Sequence, residues 1–113
     1  MEKIVEQGLL YDFYGELLTK HQRKIYEDVV YNDLSLAEIA EENGISRQGV
    51  HDMVRRCNRT LQGYEDKLHL IERFMQVRVN VSRIQELAED LELTREELIT
   101  QIRHLTSQIL EEL

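Results

Sequence analysis

The sequence contains no proline, no tryptophan, a single cysteine and five glycines in 113 residues. Proline and glycine are the residues that most often interrupt helices, so their scarcity favours helical structure along most of the chain. One cysteine excludes an intramolecular disulfide framework. No apolar run approaches the roughly 18 residues of a membrane-spanning helix, so we expect no membrane insertion. The opening residues, MEKIVEQ, lack the charged-then-apolar plan of a signal peptide, which predicts a cytoplasmic location.

Acidic residues outnumber basic ones by 22 to 14, which gives a net charge of −8 at pH 7. An acidic protein is repelled by phosphates, and this argues against general nucleic-acid binding. The charge is unevenly distributed, however. Residues 1–46 hold 4 basic and 10 acidic side chains, residues 60–113 hold 6 and 11, and residues 47–59 hold 4 and 1. The one strongly basic window is therefore residues 47–59.

The segment SLAEIAEENGISRQGVHDMVRRCNR, residues 35–59, predicts two helices joined by a tight turn. Ser35 followed by Glu38 forms a capping box, so a helix should begin at Leu36. Gly44 stands where a left-handed residue ends a helix, and Ser46 can cap the next one. The buried face of that second helix is expected to contain Val50, Val54 and Cys57. Two helices joined by so short a turn predict helix-turn-helix geometry.

In that geometry the N-terminal part of the second helix faces the major groove of DNA. The predicted base-reading residues are Arg47, Gln48 and His51, because arginine suits guanine edges and glutamine suits adenine edges. Arg55, Arg56 and Arg59 are predicted to face phosphates. Duplex DNA is thus the expected partner. The alternative, which the pattern leaves open, is that these arginines only solvate an exposed helix face.

Helices are also predicted on both sides of this motif. The first runs from about residue 3 to 18, and its aromatic residues are assigned to the core. Thr19 with Gln22 opens a helix that ends near Tyr31. Apolar residues then alternate spacings of four and three over residues 50–75, which predicts one helix of about 30 residues that reaches at least Phe74. So long an apolar stripe predicts a homodimer in which the two chains share the far end of the stripe. The C-terminal helix is expected to pack on the stripe as well.

Beyond that helix, residues 77–82 alternate apolar and polar and are expected to form an extended linker. Ser82 with Gln85 and Thr94 with Glu97 predict two further helices, ending near residues 91 and 110. At an offset of 48, residues 38–41 align with residues 86–89, which suggests a degenerate second helix-turn-helix. Unrelated capped hairpins look alike at this level, so that reading stays open. Glu96 and Glu97 would repel DNA, so this copy is expected to pack or contact protein.

Patterns for other chemistry are missing from the sequence. The four histidines are scattered, and Cys57 lies on the apolar stripe, so we expect no metal site. There is no glycine-rich phosphate loop, and we expect no cofactor. Acidic pairs such as Glu96 and Glu97 are neighbours whose side chains diverge on a helix, so they cannot act as an acid–base pair. The sequence therefore predicts a protein that is not an enzyme.

Two stretches carry a family resemblance. Residues 18–61, with LTKHQRKIY and SLAEIAEENGISRQGV, resemble region 4 of bacterial sigma factors. Over residues 11–70, with YDFYGELLT, SLAEIAEENGISRQGVHD and YEDKLHL, the chain is similar to the YlxM family of small helix-turn-helix proteins. The resemblance implies an all-helical fold and a regulatory role. It also implies a link to the signal recognition particle, because genes of this family tend to neighbour the gene of its GTPase.

Taken together, the sequence predicts an all-α fold. A sigma-region-4-like helix-turn-helix lobe (residues 1–62) should be followed by a long helix and a C-terminal helical pair (residues 63–113). The expected function is that of a DNA-binding regulator. The alternative is an adaptor that binds the GTPase or the RNA of the signal recognition particle, because an acidic surface suits basic ribonucleoprotein components.

Overall fold

The computed structural model of the protein describes residues 3–113, with side chains from Val5 onward. Met1 and Glu2, which the predicted N-terminal lobe includes, lie outside the described residues. Among the described residues all regular structure is helical, so the predicted all-α fold is confirmed. The helices are α1 (Lys3–Tyr14), α2 (Lys20–Val30), α3 (Leu36–Asn43), α4 (Arg47–Leu68), α5 (Leu70–Glu89) and α6 (Arg95–Glu112). A 3₁₀ turn, Gly15–Leu17, follows α1.

The chain divides into two compact units, Met1–His69 and Leu70–Leu113. The first unit contains α1 to α4, and the second contains α5 and α6. The domain boundary expected after Gln62 falls inside α4, where the helix continues through Gly63 to Leu68.

The core of the first unit joins α2, α3 and α4. Ile25 of α2, Ile39 and Ala40 of α3, and Val50 of α4 form one buried cluster. Partly buried side chains pack around this cluster: Val29, Leu34, Ile45, Met53 and Val54. Since each helix contributes one apolar face, the three helices cover one another and direct their polar faces to solvent.

Aromatic side chains fasten α1 to this lobe. Tyr14 of α1 and Tyr26 of α2 are buried, whereas Tyr11 and Phe13 of α1 are half-buried. The predicted core position of the α1 aromatic residues is thus confirmed fully for Tyr14 and in part for the other two. The rings of Tyr11 and Tyr26 stack with centroids 5.2 Å apart and an interplanar angle of 13°. Tyr11 donates a hydrogen bond to Glu27 of α2, and Tyr14 donates one to Glu65 of α4 over 2.5 Å. The first helix is therefore held by rings with polar ends, which pack and hydrogen-bond together.

The predicted helix of about 30 residues is wrong in its end point. The helix that begins at Arg47 ends at Leu68, because His69 adopts a left-handed backbone conformation (φ 55°, ψ 30°). The His69 N–H donates to the Glu65 carbonyl over 2.8 Å, which closes the last turn. A new helix starts at Leu70. The apolar residues keep their spacing of three and four across this break. The spacing therefore did not reveal it, because a pattern of apolar positions carries no information on the backbone angles of a single residue.

The predicted extended linker at residues 77–82 is also wrong, since these residues lie within α5. The expected helix start at Ser82 is absent for the same reason. Valines at positions 77 and 81 are four residues apart, so they lie on one face of a helix just as they would lie on one face of a strand. No second strand exists among residues 3–113 to pair with them, and the helix satisfies their backbone groups internally.

The second unit, taken by itself, is a hairpin of two helices joined by residues 90–94. So short a connection makes α5 and α6 antiparallel neighbours. Asp90 accepts a hydrogen bond from the Glu92 N–H over 2.9 Å, and Thr94 with Glu97 forms the predicted capping box at the start of α6. Leu87 and Leu105 are the buried hydrophobic side chains of this unit.

The burial pattern of α3 predicts unequal effects of two substitutions on one helix. Ile39 is fully buried, whereas Leu36 retains 39% exposure. Ile39→Ala should lower the free energy of unfolding by about 3 kcal/mol, since it removes buried methyl groups and leaves a cavity. Leu36→Ala should cost about 1 kcal/mol or less. Urea unfolding of both variants tests this, and equal costs would contradict the described core.

Candidate nucleic-acid interface

The turn between α3 and α4 has the geometry of a Schellman cap. Gly44 is left-handed (φ 64°, ψ 31°), and its N–H reaches the Glu41 carbonyl. The Ile45 N–H donates to the Ala40 carbonyl over 3.1 Å. Ile45 itself packs against the core cluster, which supplies the apolar contact typical of this motif. The predicted turn at Gly44 is confirmed.

Ser46 then starts α4. Its hydroxyl oxygen accepts a hydrogen bond from the Gly49 N–H over 2.9 Å, which satisfies one of the unpaired donors at the helix start. Val50, Cys57 and Leu61 are buried on one side of the helix. Because these positions fix the rotation of α4 about its axis, the side chains on the opposite face are directed to solvent.

The predicted DNA-contacting side chains lie on that exposed face in two rows. Residues four apart form a ridge along a helix. The first row, which we call the basic ridge, contains Arg47, His51, Arg55 and Arg59, and all four are exposed. It extends over about 18 Å at 1.5 Å per residue. The second row contains Gln48, Asp52 and Arg56. All six predicted residues therefore lie on one helix and on its exposed side.

Asp52 interrupts the second row with a carboxylate. Its Oδ1 accepts a hydrogen bond from Gln48 Nε2 over 3.0 Å and lies 4.0 Å from His51 Nδ1. Two of the three predicted base-reading side chains thus have a polar neighbour within the helix itself. To contact a base edge, the Gln48 amide must break its hydrogen bond to Asp52 and form one with the base.

Asp52 also lines a surface depression together with Arg55, Arg56 and Arg59. Three guanidinium groups at the edge of a depression can donate several hydrogen bonds to one phosphate, since each presents a planar fork of N–H groups. The single carboxylate there opposes an anion. The three arginines are residues that the sequence predicts at this surface, whereas Asp52 had no predicted role. The spacing of four between Gln48 and Asp52 is the signal from which their hydrogen bond could be predicted.

Two polar contacts hold α4 in place, and no sequence pattern predicts either of them. The Tyr26 hydroxyl donates to Asn58 Oδ1 over 2.8 Å, and Tyr14 donates to Glu65. Burial raises the pKa of the Tyr26 phenol far above its ordinary value, so it stays a neutral donor. Burial likewise raises the pKa of the Cys57 thiol, which keeps it protonated and unreactive near neutral pH.

The start of α6 differs from the start of α4 in charge. Thr94 caps α6, and its first turn carries Glu96 and Glu97 in exposed positions. Carboxylates there favour the helix dipole but repel phosphate. Among the described residues there is no group of three or more potential metal-binding side chains. No helix in the described part of the chain is long and apolar enough to cross a membrane.

Comparison with known proteins gives one consistent family. Residues 1–105 match the model of a family described as "Putative helix-turn-helix protein, YlxM / p13 like". The chain is 46% identical over 92 residues to a UPF0122 protein of Clostridium kluyveri, which covers 80% of this chain and 82% of that protein. It is 50% identical over 76 residues to a UPF0122 protein of Acetivibrio thermocellus, with 67% and 65% covered. A UPF0122 protein of Bacillus thuringiensis is 40% identical over 98 residues, with 87% and 89% covered.

Substitution by alanine should have opposite effects at two glycines, Gly44 in the turn and Gly63 within α4. A Cβ at either Gly44 or Gly63 meets no atom within 4 Å, but only Gly44 has a positive φ. Gly44→Ala should destabilise the protein by about 1 kcal/mol through backbone strain. Gly63→Ala, inside α4, should stabilise it by about 0.5–1 kcal/mol. Thermal unfolding of the pair measures both effects, and shifts of the same sign would show that the turn is described wrongly.

Proposed function

Because this chain belongs to the family of YlxM/p13-like helix-turn-helix proteins, we propose that it is a regulatory protein that binds duplex DNA through α4. The observation that supports this most strongly is the basic ridge, which lies on the exposed side of the second helix of the motif. The rest of the chain is acidic, so the ridge concentrates the attraction for phosphate at one surface. On this proposal the protein acts by binding, in the cytoplasm, and not by catalysis.

The residues of α4 would divide their roles along the helix. Arg47, Gln48 and His51 stand in the first two turns, where a recognition helix meets base edges. Arg55, Arg56 and Arg59 follow and would contact phosphates, which position the protein without reading sequence. The ridge would therefore supply affinity along its length, and specificity at its N-terminal end.

A lobe of this size presents one short recognition helix, which contacts few base pairs. Specific binding by such lobes commonly requires two copies on two half-sites. We therefore propose that the chain acts as a homodimer, in which the second copy doubles the number of phosphate and base contacts.

The basic ridge predicts the effect of a triple substitution. Arg47→Ala, Arg55→Ala and Arg59→Ala together should lower affinity for duplex DNA by at least about a hundredfold, since each lost contact costs on the order of 1 kcal/mol or more. The slope of log affinity against log salt should fall by roughly one unit per lost phosphate contact. Fluorescence anisotropy across a salt series measures both quantities.

The matched control carries the same loss of charge outside the ridge. Arg78→Ala, Arg95→Ala and Arg103→Ala also remove three positive charges but leave α4 intact. This variant should bind DNA nearly as wild type. An unchanged affinity in the ridge variant, or an equal loss in both variants, would refute the proposed function.

Asp52 gives a test in the opposite direction. Asp52→Asn removes the one carboxylate among the arginines and should tighten DNA binding by about two- to fivefold, the size of one screened charge interaction. Asp66 is a matched control, because it accepts a hydrogen bond from Gln62 over 2.9 Å in the same spacing of four. Asp66→Asn should leave affinity unchanged. If Asp52→Asn weakened binding, its carboxylate would be a contact and not an obstacle.

The adaptor alternative, in the signal recognition particle pathway, rests on a different observation. Outside residues 47–59 the chain carries 10 basic and 21 acidic side chains, and such a surface suits the basic parts of a ribonucleoprotein. Parallel binding assays with duplex DNA, the particle's RNA and its GTPase separate the two functions. Binding to the GTPase that survives loss of the three ridge arginines would favour the adaptor.

A further inference from the structure

Asp52 lies at the centre of the exposed face of α4. Val50 is fully buried in the core cluster of the first unit. Gln48 and Asp52 each lie two residues from Val50, which is about 200° around a helix of 3.6 residues per turn. Both side chains are therefore within about 20° of the direction opposite the core. Side chains in that direction, on the first two turns of a recognition helix, are the ones that reach base edges in the major groove.

In the free protein, the carboxylate of Asp52 has a hydrogen-bond donor beside it. Gln48 Nε2 donates to Asp52 Oδ1 over 3.0 Å, and His51 Nδ1 lies 4.0 Å from the same oxygen. The Asp52 side chain is 50% exposed, so water reaches the rest of the carboxylate. An ionised carboxylate only accepts hydrogen bonds. It is therefore stable only where donors surround it, and Gln48 and water supply them here.

Entry of α4 into the groove of DNA removes these donors. Water is displaced from the face that meets the bases, and Gln48 breaks its bond to Asp52 when its amide contacts a base. A carboxylate that loses its donors in a desolvated site costs more free energy than a neutral group does. The DNA must then supply the missing donor. The cost of binding therefore depends on which base edge lies opposite Asp52.

The four bases differ in what they offer to a carboxylate in the major groove. Guanine presents two acceptors, N7 and O6, and thymine presents the acceptor O4. Adenine presents the N6 amino group beside the acceptor N7, whereas cytosine presents the N4 amino group alone. A carboxylate is repelled by the first two bases and is best satisfied by cytosine. Repulsion of the wrong partner contributes to specificity as much as attraction of the right one.

We propose that Asp52 is a specificity-determining residue, whose carboxylate selects duplex DNA with a cytosine opposite it in the major groove. This role rests on the proposed function, DNA binding through α4, and adds to it a base preference at one position. Gln48 and Asp52 are four residues apart, a rise of about 6 Å, and successive bases of one strand are spaced by about 3.4 Å. The base that Gln48 contacts and the selected cytosine should therefore lie within about two base pairs of each other.

The arginines beside Asp52 explain why such a filter is useful. Arg55, Arg56 and Arg59 line the same surface depression as Asp52. Arginines that contact phosphates attract any duplex, whatever its sequence. The carboxylate opposes this attraction on every duplex, but a cytosine repays its cost. Loss of the carboxylate should therefore tighten binding to random-sequence duplex and at the same time relax the preference for cytosine.

The experiment compares base preferences and not affinity alone. A pool of duplexes with about 20 random base pairs, enough for two half-sites one helical turn apart, is bound by each protein, and the bound fraction is sequenced. The wild-type motif should contain a cytosine that Asp52→Ala removes, while its other positions stay. Asp52→Asn should shift the preference at that position towards adenine, because asparagine pairs with adenine N6 and N7. Asp66→Ala, which removes a carboxylate from the other Gln–Asp pair of α4, should keep the wild-type motif.

Fluorescence anisotropy then measures the size of the preference at one fixed salt concentration. The two probes are the duplex most enriched by the wild type and the same duplex with guanine in place of the selected cytosine. Wild-type protein should bind the cytosine duplex at least about fivefold more tightly, since a base contact of this kind discriminates by that much or more. Asp52→Ala should bind the two duplexes within about twofold of each other, whereas Asp66→Ala should discriminate as the wild type does.

The outcomes separate this role from the proposed function. If wild-type protein bound no duplex, both would be refuted. If it bound, and Asp52→Ala kept the complete motif and tightened every duplex equally, the carboxylate would act only as a charge, so the specificity role would be overturned and DNA binding through α4 would stand. An arginine that replaced Gln48 as the donor to Asp52 would give this second result. If Asp52→Ala lost helical circular dichroism, the switch from cytosine to adenine in Asp52→Asn would decide the question alone.

Discussion

Burial of one face of α4 fixes the direction of every other side chain on that helix. Val50 packs into the cluster formed with α2 and α3, and Cys57 and Leu61 are buried further along the same face. Tyr14 and Tyr26 reach α4 from α1 and α2 with hydrogen bonds to Glu65 and Asn58. These contacts prevent the helix from rotating, so the basic ridge stays on the solvent side. A recognition surface on a helix needs this fixed rotation, since a turn of about 100° moves each side chain to another face.

Electrostatics limits where this acidic protein can meet a nucleic acid. With residues 47–59 as the one basic window, any phosphate approach away from α4 is opposed by carboxylates. Under the proposed function, this charge distribution restricts DNA binding to α4.

Local sequence signals predicted much of the fold because they act over three or four residues. Thr19, Ser35, Ser46 and Thr94 each cap a helix in the structure, and Gly44 adopts the left-handed conformation that its position required. The break at His69 escaped prediction because a left-handed residue other than glycine is uncommon. Histidine is found there more often than most residues, but its presence does not require that conformation.

The valines of α5 suggested an extended segment for a related reason, since apolar alternation over six residues is compatible with both a strand and a helix. Contacts between residues distant in sequence could not be predicted, because no local pattern links Tyr14 with Glu65, 51 residues away. The candidate site was easier to predict, because all six predicted residues belong to one helix. The buried face of that helix alone determines which of its side chains lie together on the exposed side. The hydrogen bond between Gln48 and Asp52 could have been predicted from their spacing of four. It must break before the Gln48 amide can contact a base.

DNA binding through α4 can be tested directly by a nuclear magnetic resonance titration of the isotope-labelled protein with duplex DNA. If α4 binds DNA, the largest chemical-shift changes should occur in the backbone amides of residues 46–59 and in the side-chain N–H groups of Arg47, Arg55 and Arg59. Resonances of α6 should change little. Changes concentrated in α5 and α6, or no saturable change at moderate salt, would contradict the assignment of α4 as the DNA-binding helix.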